Sequence, residues 1–172
     1  MTKYLLPLLL LAACSRDPGS ETTAIAHFHK VTDGIYRGGQ PDRAGMEYLQ
    51  EHGIKTIVDL NDVIDTEIRE GQMASELGIE LFVFPMSGIF PDPGDYHPAA
   101  SALKIIANAK YAPVYIHCEY GLDRTGLVIA LYRTWFSGYS KDAAYSEWVK
   151  LGHNRMLFLF DYMYWKLTWG WV

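Results

Sequence analysis

A cysteine and an arginine separated by five residues are the side chains of this sequence best suited to chemistry. They belong to the run His117-Cys118-Glu119-Tyr120-Gly121-Leu122-Asp123-Arg124-Thr125, which follows an apolar, strand-like stretch over residues 113–116. A short loop between a strand and a helix turns its backbone N–H groups inward, and the start of the helix adds the positive end of its dipole. The run therefore predicts a loop that holds a dianion such as phosphate beside its own nucleophile.

Four residues of the run have types that suit this chemistry. The ring of N–H donors and the nearby Arg124 favour the thiolate form of Cys118, which is the nucleophilic form. The planar guanidinium of Arg124 can bind two phosphoryl oxygens at once, whereas a lysine offers a single point charge. Thr125 can hydrogen-bond the sulfur when it becomes a leaving group, and Gly121 lets the loop bend tightly. The alternative is a buried, inert cysteine in a strand-to-helix connection.

The run resembles the signature of the protein tyrosine phosphatase superfamily, which is His-Cys, five residues, Arg, and then Ser or Thr. An earlier segment, Ile35-Tyr36-Arg37-Gly38-Gly39-Gln40-Pro41, is similar to a strand-and-turn motif of the small dual-specificity members. The resemblance implies that phosphomonoesters are hydrolysed through a phosphocysteine intermediate, without a metal or another cofactor. It also implies that His117 fixes the loop and Cys118 through hydrogen bonds and does not exchange protons.

The reaction also needs an acid to protonate the leaving group, and the same carboxylate can activate water in the second step. Phe90-Pro91-Asp92 resembles the Trp-Pro-Asp loop of the superfamily, so Asp92 is the first candidate acid. Asp95 is the second; otherwise Asp95 caps the following helix and Asp92 is a turn residue. Asp123 is a further alternative, because it also resembles an aspartate of lipid phosphatases and myotubularins. Otherwise Asp123 orients Arg124 or the loop backbone.

The inner residues of the loop are expected to bind the substrate, and they are Glu119, Tyr120, Gly121, Leu122, Asp123 and Arg124. The His-Cys-Glu start resembles the protein-tyrosine-phosphatase-like phytases, which implies inositol polyphosphates as the leading substrate class. Tyr120 and Asp123 depart from that pattern, where small residues are usual. Phosphotyrosine in a peptide is the alternative substrate. A polyphosphate needs several cations, which Lys30, Arg43 and Arg155 supply if they gather at the site and are not simply solvated.

Composition disfavours several other classes of function. The chain has 172 residues and a formal net charge of −5, without the basic block that a nucleic-acid partner requires. No histidine cluster has metal-ligand spacing, and His52, His97 and His153 are predicted at the surface or at helix ends. A catalytically silent, phosphate-binding surface lipoprotein is the alternative to an enzyme. It is disfavoured because the cysteine, the arginine and an upstream aspartate are all present.

The first 26 residues are predicted to be a targeting segment followed by a tether. Residues 1–13 have a basic start, a short apolar stretch and small residues before Cys14, which is typical of a signal peptide. Leu11-Ala12-Ala13-Cys14 resembles the lipobox of bacterial lipoproteins, which implies cleavage before Cys14 and a lipid on that residue. Residues 14–26 are then a lipidated, polar tether to one phosphatase domain over residues 27–172. The resemblance implies a membrane anchor in the bacterial cell envelope, at the outer membrane or facing the periplasm.

The rest of the sequence alternates between strand and helix patterns. Strands are predicted at residues 28–31, 35–37, 56–60, 81–84 and 113–116, and helices at 44–52, 67–77, 98–108, 125–136, 141–150 and 156–169. Asp65 or Thr66 is the predicted cap of the second helix, and Gly126 is predicted to let the fourth helix pack close to the sheet. The order predicts an α/β fold with a single, mostly parallel central sheet flanked by helices. This layout, with its helical C-terminal layer, resembles that of dual-specificity phosphatases.

The C-terminal stretch over residues 156–172 is rich in phenylalanine, tyrosine and tryptophan. It is predicted to be the final core helix of the domain. A face that lies on a membrane or forms a dimer is the alternative, since both need exposed aromatic side chains. The sequence does not define the oligomeric state.

Overall fold

The computed structural model describes residues 25–89 and 93–169. The strands of this part are β1 His29–Thr32, β2 Ile35–Gly38, β3 Thr56–Asp59, β4 Glu80–Val83 and β5 Val114–His117. The α-helices are α1 Arg43–Glu51, α2 Ile64–Leu77, α3 Tyr96–Ile106, α4 Asp123–Phe136, α5 Lys141–Lys150 and α6 Phe158–Trp169. The predicted signal peptide, Cys14 and Asp92 lie outside the described residues, so these assignments stay predictions.

The strands form one sheet in the order β1-β2-β5-β3-β4, in which β1 runs antiparallel to β2 and the other pairs are parallel. Strands β3 and β5 are buried at every position, as expected for the central strands of a parallel sheet. Parallel strands end at the same edge, so the loop after β5 lies beside the segments that follow β2 and β3. The predicted α/β fold with a mostly parallel sheet is confirmed.

Helices cover both faces of the sheet. Consecutive residues of a strand point to opposite faces, and Tyr115 and Ile116 of β5 accordingly belong to two different cores. The larger core contains Ile116 and is surrounded by α3, α4, α5 and α6. The smaller core contains Tyr115 and is covered by α1 and α2. Strand β5 therefore lies in the middle of the molecule, which fixes the position of the loop that follows it.

Five of the six α-helices given above begin one to three residues away from their predicted starts. Helix α4 begins at Asp123, two residues early, so Arg124 lies in its first turn. Helix α2 begins at Ile64, and its cap residue makes no side-chain hydrogen bond, so the predicted cap by Asp65 or Thr66 is wrong. Asp65 lies inside the first turn of α2, where its negative charge still interacts favourably with the helix dipole.

The folded domain includes residues before the predicted start at position 27. Ile25 is 2% exposed and belongs to the smaller core. The carbonyl of Ala26 accepts a hydrogen bond of 2.8 Å from the Gly39 N–H, which ties this segment to the end of β2. The buried side chain of Ile25 and the backbone hydrogen bond between Gly39 and Ala26 place this segment in the domain.

The aromatic helix α6 packs against α4 as part of the larger core. Its buried residues are Phe160, Met163, Tyr164, Leu167 and Thr168, and Trp169 at its end is 80% exposed. This arrangement supports the predicted core helix for residues 158–168. Across the described ranges, no helix is both long enough and apolar enough to cross a membrane.

Gly126 lies in α4 where the indole of Trp148 from α5 approaches the helix backbone. A Cβ atom at position 126 would overlap the Trp148 ring at Nε1 and Cδ1. The close approach at Gly126 is therefore made to α5, and the predicted approach to the sheet is wrong. It lets Trp148 Nε1 donate a hydrogen bond of 3.0 Å to the carbonyl of Leu122.

We expect Gly126→Ala to destabilise the fold by about 2 kcal/mol, because overpacking forces the buried indole of Trp148 to move. Gly71→Ala in α2 is the matched control, since the nearest atom to its new methyl group lies at 3.9 Å. Alanine is favoured over glycine inside a helix by about 0.5–1 kcal/mol, so this control should be neutral or stabilising. Urea denaturation of both variants measures the difference, and equal stabilities would contradict the packing at Trp148.

Candidate active site

The loop over residues 118–122 connects β5 to α4 at the carboxyl edge of the sheet. It borders a cavity of about 450 Å³, whose lining includes the predicted site residues Cys118, Glu119, Tyr120, Leu122, Asp123 and Arg124. The opposite wall is formed by Gly88 and Ile89 after β4 and by Asn154 and Leu157 between α5 and α6. Cys118 is 3% exposed. The structure thus brings the predicted nucleophile and the predicted arginine to one enclosed space.

The four carbonyl groups of residues 119–122 are held by donors from other parts of the chain. The pairs are Glu119 with the Gln40 N–H at 3.1 Å, Tyr120 with His27 Nδ1 at 2.9 Å, Gly121 with Arg37 Nη2 at 2.5 Å, and Leu122 with Trp148 Nε1 at 3.0 Å. These donors come from the segment before β1, from β2 and the turn after it, and from α5. Each carbonyl of the loop therefore has a fixed direction.

Anchored carbonyls also fix the directions of the N–H groups. The C=O and N–H of one peptide unit point in opposite directions, because the unit is planar and trans. The N–H groups of residues 120–123 therefore face away from the anchoring donors and towards the cavity side of the loop. Within the described ranges, none of these N–H groups donates a hydrogen bond to the protein. They are available to bind an anion, and the N-terminus of α4 adds its positive end.

Gly121 allows the loop to lie directly on the end of β2. Its φ angle is +72°, in the left-handed region that glycine adopts without strain. A Cβ atom at this position would overlap the backbone of Gly38. The close approach keeps the Gly121 carbonyl within reach of Arg37 on the same strand.

Arg37 places a fixed positive charge beneath the loop. Its side chain is 1% exposed, and Nη2 also approaches the Leu122 carbonyl at 3.4 Å. Burial lowers the pKa of the guanidinium, and the sulfur of Cys118 opposes this shift. Arginine remains protonated in proteins, so its charge favours an anion on the other side of the loop. Sequence reasoning missed the role of Arg37, and a cation inside an otherwise apolar strand was the available signal for it.

Arg124 is positioned by the segments that follow β3 and β4. Its Nη1 donates to the Leu60 carbonyl at 3.3 Å, to the Met86 carbonyl at 3.1 Å and to Asp62 Oδ1 at 3.1 Å. These bonds all involve Nη1, which leaves Nε and Nη2 for phosphoryl oxygens. Sequence reasoning missed Asp62. A carboxylate just after a buried strand, at the edge where the site forms, was the available signal.

His117 lies in a fully buried cluster with Glu70 and Asp59. His117 Nε2 donates to Glu70 Oε1 at 2.8 Å, and Nδ1 lies 3.6 Å from Asp59 Oδ1. Burial alone lowers the pKa of this imidazole, but the charge and hydrogen bond of Glu70, together with Asp59, outweigh burial and raise the pKa to about 9. The ligand atoms of the three residues lie within 4.8 Å of one another, and a metal ion bound there would have to displace the proton that His117 Nε2 donates to Glu70.

The hydroxyl of Thr125 is buried behind the loop. Its Oγ1 has no hydrogen-bond partner among the described residues. A buried hydroxyl without a partner is unfavourable. The donor of Thr125 is therefore available to hydrogen-bond the sulfur of Cys118 when that atom leaves as a thiolate. The role of Thr125 as a donor to the leaving sulfur stays a prediction.

His153 lies just after the end of α5, one of the two kinds of position predicted for it, and its side chain is not at the surface. Its side chain is fully buried and stacks on Trp148 with ring centroids 3.9 Å apart. Asp123 Oδ1 accepts a hydrogen bond of 2.6 Å from His153 Nδ1 and one of 2.9 Å from the Asn154 N–H. His153 Nε2 lies 3.1 Å from Asp161 Oδ1. Nothing local in the sequence indicates this burial, because it depends on α6 folding back over the turn.

The two upstream acid candidates differ in what the structure describes. Asp92 lies outside the described residues. Asp95 is 7% exposed, and its Oδ1 accepts a hydrogen bond of 3.1 Å from the Ser87 N–H. Asp95 is the N-cap residue of α3, as the alternative predicts, but its side chain makes no cap hydrogen bond to that helix. The carboxylate of Asp95 instead ties the start of α3 to the segment after β4.

None of the three cations considered for a polyphosphate lines the cavity. Arg43 pairs with Glu47 at 2.8 Å and with Glu76. Lys30 pairs with Asp33 at 2.8 Å on β1. Arg124 is the one lysine or arginine among the described lining residues of the Cys118 cavity. Lys30 and Arg43 therefore do not gather at the site, and a role for Arg155, which is next to the lining residue Asn154, stays a prediction.

Comparison with known proteins places most of the chain in one family. The family model described as DSP-PTPase phosphatase fused to NAD+ kinase matches residues 20–156. Inositol diphosphatase DSP5 of Arabidopsis thaliana is 30% identical over 109 residues, which cover 62% of this chain and 53% of that protein. The dual specificity protein phosphatase TpbA of Pseudomonas aeruginosa is 27% identical over 124 residues, which cover 70% of this chain and 52% of that protein. The chain thus spans about half the length of both relatives.

A solved structure shares the fold. The core catalytic domain of the PP-IP phosphatase Siw14 from S. cerevisiae, in complex with citrate, superposes with a TM-score of 0.65 at 26% sequence identity. The match covers 74% of this chain and 76% of that domain. It supports the same arrangement of sheet, loop and helices in both proteins.

The raised pKa of His117 makes the stability of the fold depend on pH. The folded-state pKa of about 9 lies above the ordinary value of 6.5. The contribution of protonated His117 to the stability of the fold is therefore complete below pH 6.5 and is lost as the pH rises through 9. We expect the free energy of unfolding to fall by about 3 kcal/mol across this window. Urea denaturation at several pH values measures it. His117→Gln should flatten the profile and His52→Gln should not; an unchanged profile in His117→Gln would contradict the pairing with Glu70.

Proposed function

Because the chain belongs to the family of DSP-PTPase phosphatase domains fused to NAD+ kinase, we propose that it hydrolyses phosphomonoesters through a phosphocysteine at Cys118. The chain is an enzyme, a phosphatase of the protein tyrosine phosphatase type. The observation that supports this mechanism is the set of anchored loop carbonyls, which turns four N–H groups towards the cavity beside Cys118 and Arg124. Such a cradle suits the oxygens of a bound phosphoryl group.

In the first step the Cys118 thiolate attacks phosphorus in line with the leaving oxygen. The S–P bond forms while the P–O bond to the substrate breaks. The loop N–H groups and Arg124 bind the equatorial oxygens, where charge must be held in the transition state. The leaving oxygen takes a proton from Asp92, the first candidate acid, and departs as an alcohol.

In the second step a water molecule attacks the phosphocysteine. Water passes a proton to the Asp92 carboxylate, its oxygen bonds to phosphorus, and the S–P bond breaks. Phosphate and the thiolate are the products, and Asp92 is again protonated. The charges of Arg37 and protonated His117 stabilise the thiolate as it leaves.

The other acid candidates are held by hydrogen bonds that suit a structural role. Asp123 Oδ1 already accepts two hydrogen bonds, from His153 and from the Asn154 N–H. Asp95 Oδ1 accepts one from the Ser87 N–H and is largely buried. These bonds hold each carboxylate against a neighbouring segment of the chain. These contacts support Asp92 as the acid.

Inositol polyphosphates are the leading substrate class in this proposal. The relatives at 30% and 26% identity are named as an inositol diphosphatase and as a PP-IP phosphatase. The His-Cys-Glu start of the loop adds to this support. The cavity of about 450 Å³ has room for more than a single phosphoryl group.

A phosphotyrosine peptide is the second candidate, and the charge of the cavity favours it. Its described lining residues include one cation, Arg124, against the carboxylates of Glu119 and Asp123. The apolar side chains of Ile89 and Leu157 and the ring of Tyr120 provide contacts for an aromatic leaving group, and Ile89 and Tyr120 are about 60% exposed. A single phosphoryl group on an aromatic ring needs no more than one arginine.

Replacing each acid candidate by its amide identifies the acid. We expect Asp92→Asn to lower kcat by about 100-fold and to abolish the basic limb of the pH profile, most strongly for poor leaving groups. Asp123→Asn should lower kcat less and keep the limb, because its carboxylate positions the loop. Asp65→Asn on α2 is the control. Loss of the limb in Asp123→Asn alone would contradict the assignment to Asp92.

The substrate class is tested by kcat/KM for phytate, lower inositol phosphates and phosphotyrosine peptides. We expect the inositol phosphates to exceed the peptides by at least about 10-fold. Glu119→Gln should raise kcat/KM for phytate more than for the peptides, because a polyanion responds more strongly to removal of a negative charge. Glu47→Gln, far from the cavity, is its control. A clear preference for the peptides would favour the second candidate, and slow, equal turnover of every substrate would contradict both.

A further inference from the structure

A second cavity, of about 110 Å³, lies behind the catalytic loop. It shares no lining residue with the Cys118 cavity. Its titratable lining residues are His29 and Lys30 of β1, Arg37 of β2, Arg133 of α4 and Glu147 of α5. Basic side chains thus outnumber the acidic one, and the proposed mechanism uses only Arg37. The exposed side chains of His29 and Lys30 place its opening at the β1 edge of the sheet.

Arg37 has hydrogen-bond donors that no described residue satisfies. Its Nη2 donates to the carbonyls of Gly121 and Leu122. Its Nε and Nη1 are buried and have no partner in residues 25–89 and 93–169. Donors of a charged group that are removed from water without a partner carry a large desolvation cost. A ligand that accepts hydrogen bonds and carries negative charge would remove this cost.

The carboxylate in the cavity is already engaged by another arginine. Glu147 accepts hydrogen bonds from Arg133 Nε at 2.9 Å and from Arg133 Nη2 at 3.0 Å. Arg133 Nη2 also donates to the Val31 carbonyl at 2.9 Å. This bidentate pair neutralises Arg133 and leaves the charge of Arg37 without a contacting counter-ion. The cavity therefore keeps an excess of positive charge.

Two hydrogen-bond donors, Lys30 and His29, lie at the opening of the cavity. Lys30 is a cation, and its contact with Asp33 at 2.8 Å is an exposed pair at the surface. The pKa of His29 is lowered by burial and by Arg37, so at neutral pH it is a neutral imidazole that can still donate one hydrogen bond. A volume of this size corresponds to three or four water molecules at roughly 30 Å³ each, which suits a small anion better than an organic ester.

We propose that this cavity binds a small tetrahedral oxyanion of the phosphate class, with the unpaired donors of Arg37 as its buried contact and Lys30 at its opening. The small volume of the cavity favours an inorganic anion over an esterified one. The same guanidinium holds the Gly121 carbonyl, so the bound anion lies directly behind the catalytic loop.

Calorimetry tests this site after the catalytic one is blocked. The full chain is alkylated at Cys118 with iodoacetate, complete reaction is verified by mass spectrometry, and the protein is titrated with inorganic phosphate and, separately, with chloride. We expect one equivalent of phosphate to bind, and chloride to bind at least about 10-fold more weakly, because it cannot accept several directed hydrogen bonds.

Two substitutions, at residues that the proposed mechanism does not use, test whether phosphate binds in the second cavity. Glu147→Gln should tighten phosphate binding by about fivefold, because it removes a negative charge and frees Arg133. Lys30→Gln should weaken it by about twofold, as expected for an exposed cation. Glu51→Gln and Lys55→Gln, both at exposed positions away from this cavity, are the controls and should change nothing. No phosphate binding to the alkylated protein, or binding that neither Glu147→Gln nor Lys30→Gln changes, would overturn the proposal.

Discussion

The hydrogen bonds that hold the carbonyls of residues 119–122 are the constraint on which the rest of the site depends. A carbonyl turned towards the cavity would repel a phosphoryl group, and four external donors prevent this at every peptide unit of the loop. The sheet order explains how they reach it. Strand β2 is the parallel neighbour of β5, so Arg37 and Gln40 lie beside the loop that β5 leads into. The fold therefore fixes the backbone of the loop through groups that lie outside it.

Buried charge around the loop is arranged to favour anions inside it. Arg37 and protonated His117 lie behind the loop, and Glu70 compensates His117 without facing the cavity. Asp62 orients Arg124, and His153 fixes the carboxylate of Asp123. Breaking one member of a buried pair leaves an uncompensated charge and costs about 3–5 kcal/mol. These partners therefore stabilise the fold and maintain the chemistry together.

The sequence predicted the local parts of this site and missed the partners that come from far along the chain. Cys118, Arg124 and the strand–loop–helix order are encoded in one short run, where residue type and spacing are directly readable. Asp62 and His153 lie 62 and 29 residues from Arg124, and only the sheet order and the folding back of α6 bring them to the loop. The glycine at position 126 indicates a close approach to the helix backbone. The sequence does not indicate that Trp148 is the approaching group, because helix–helix packing leaves no periodic signal at one position.

The central claim is that this loop transfers the phosphoryl group to Cys118. Rapid acid quenching of the enzyme during turnover of an aryl phosphate, followed by mass spectrometry of its peptides, tests it directly. If Cys118 is the nucleophile, we expect a phosphate on the peptide that contains it. Both the adduct and turnover should be lost in Cys118→Ser. Turnover that persists in Cys118→Ser, or a phosphate found on another residue, would contradict the account.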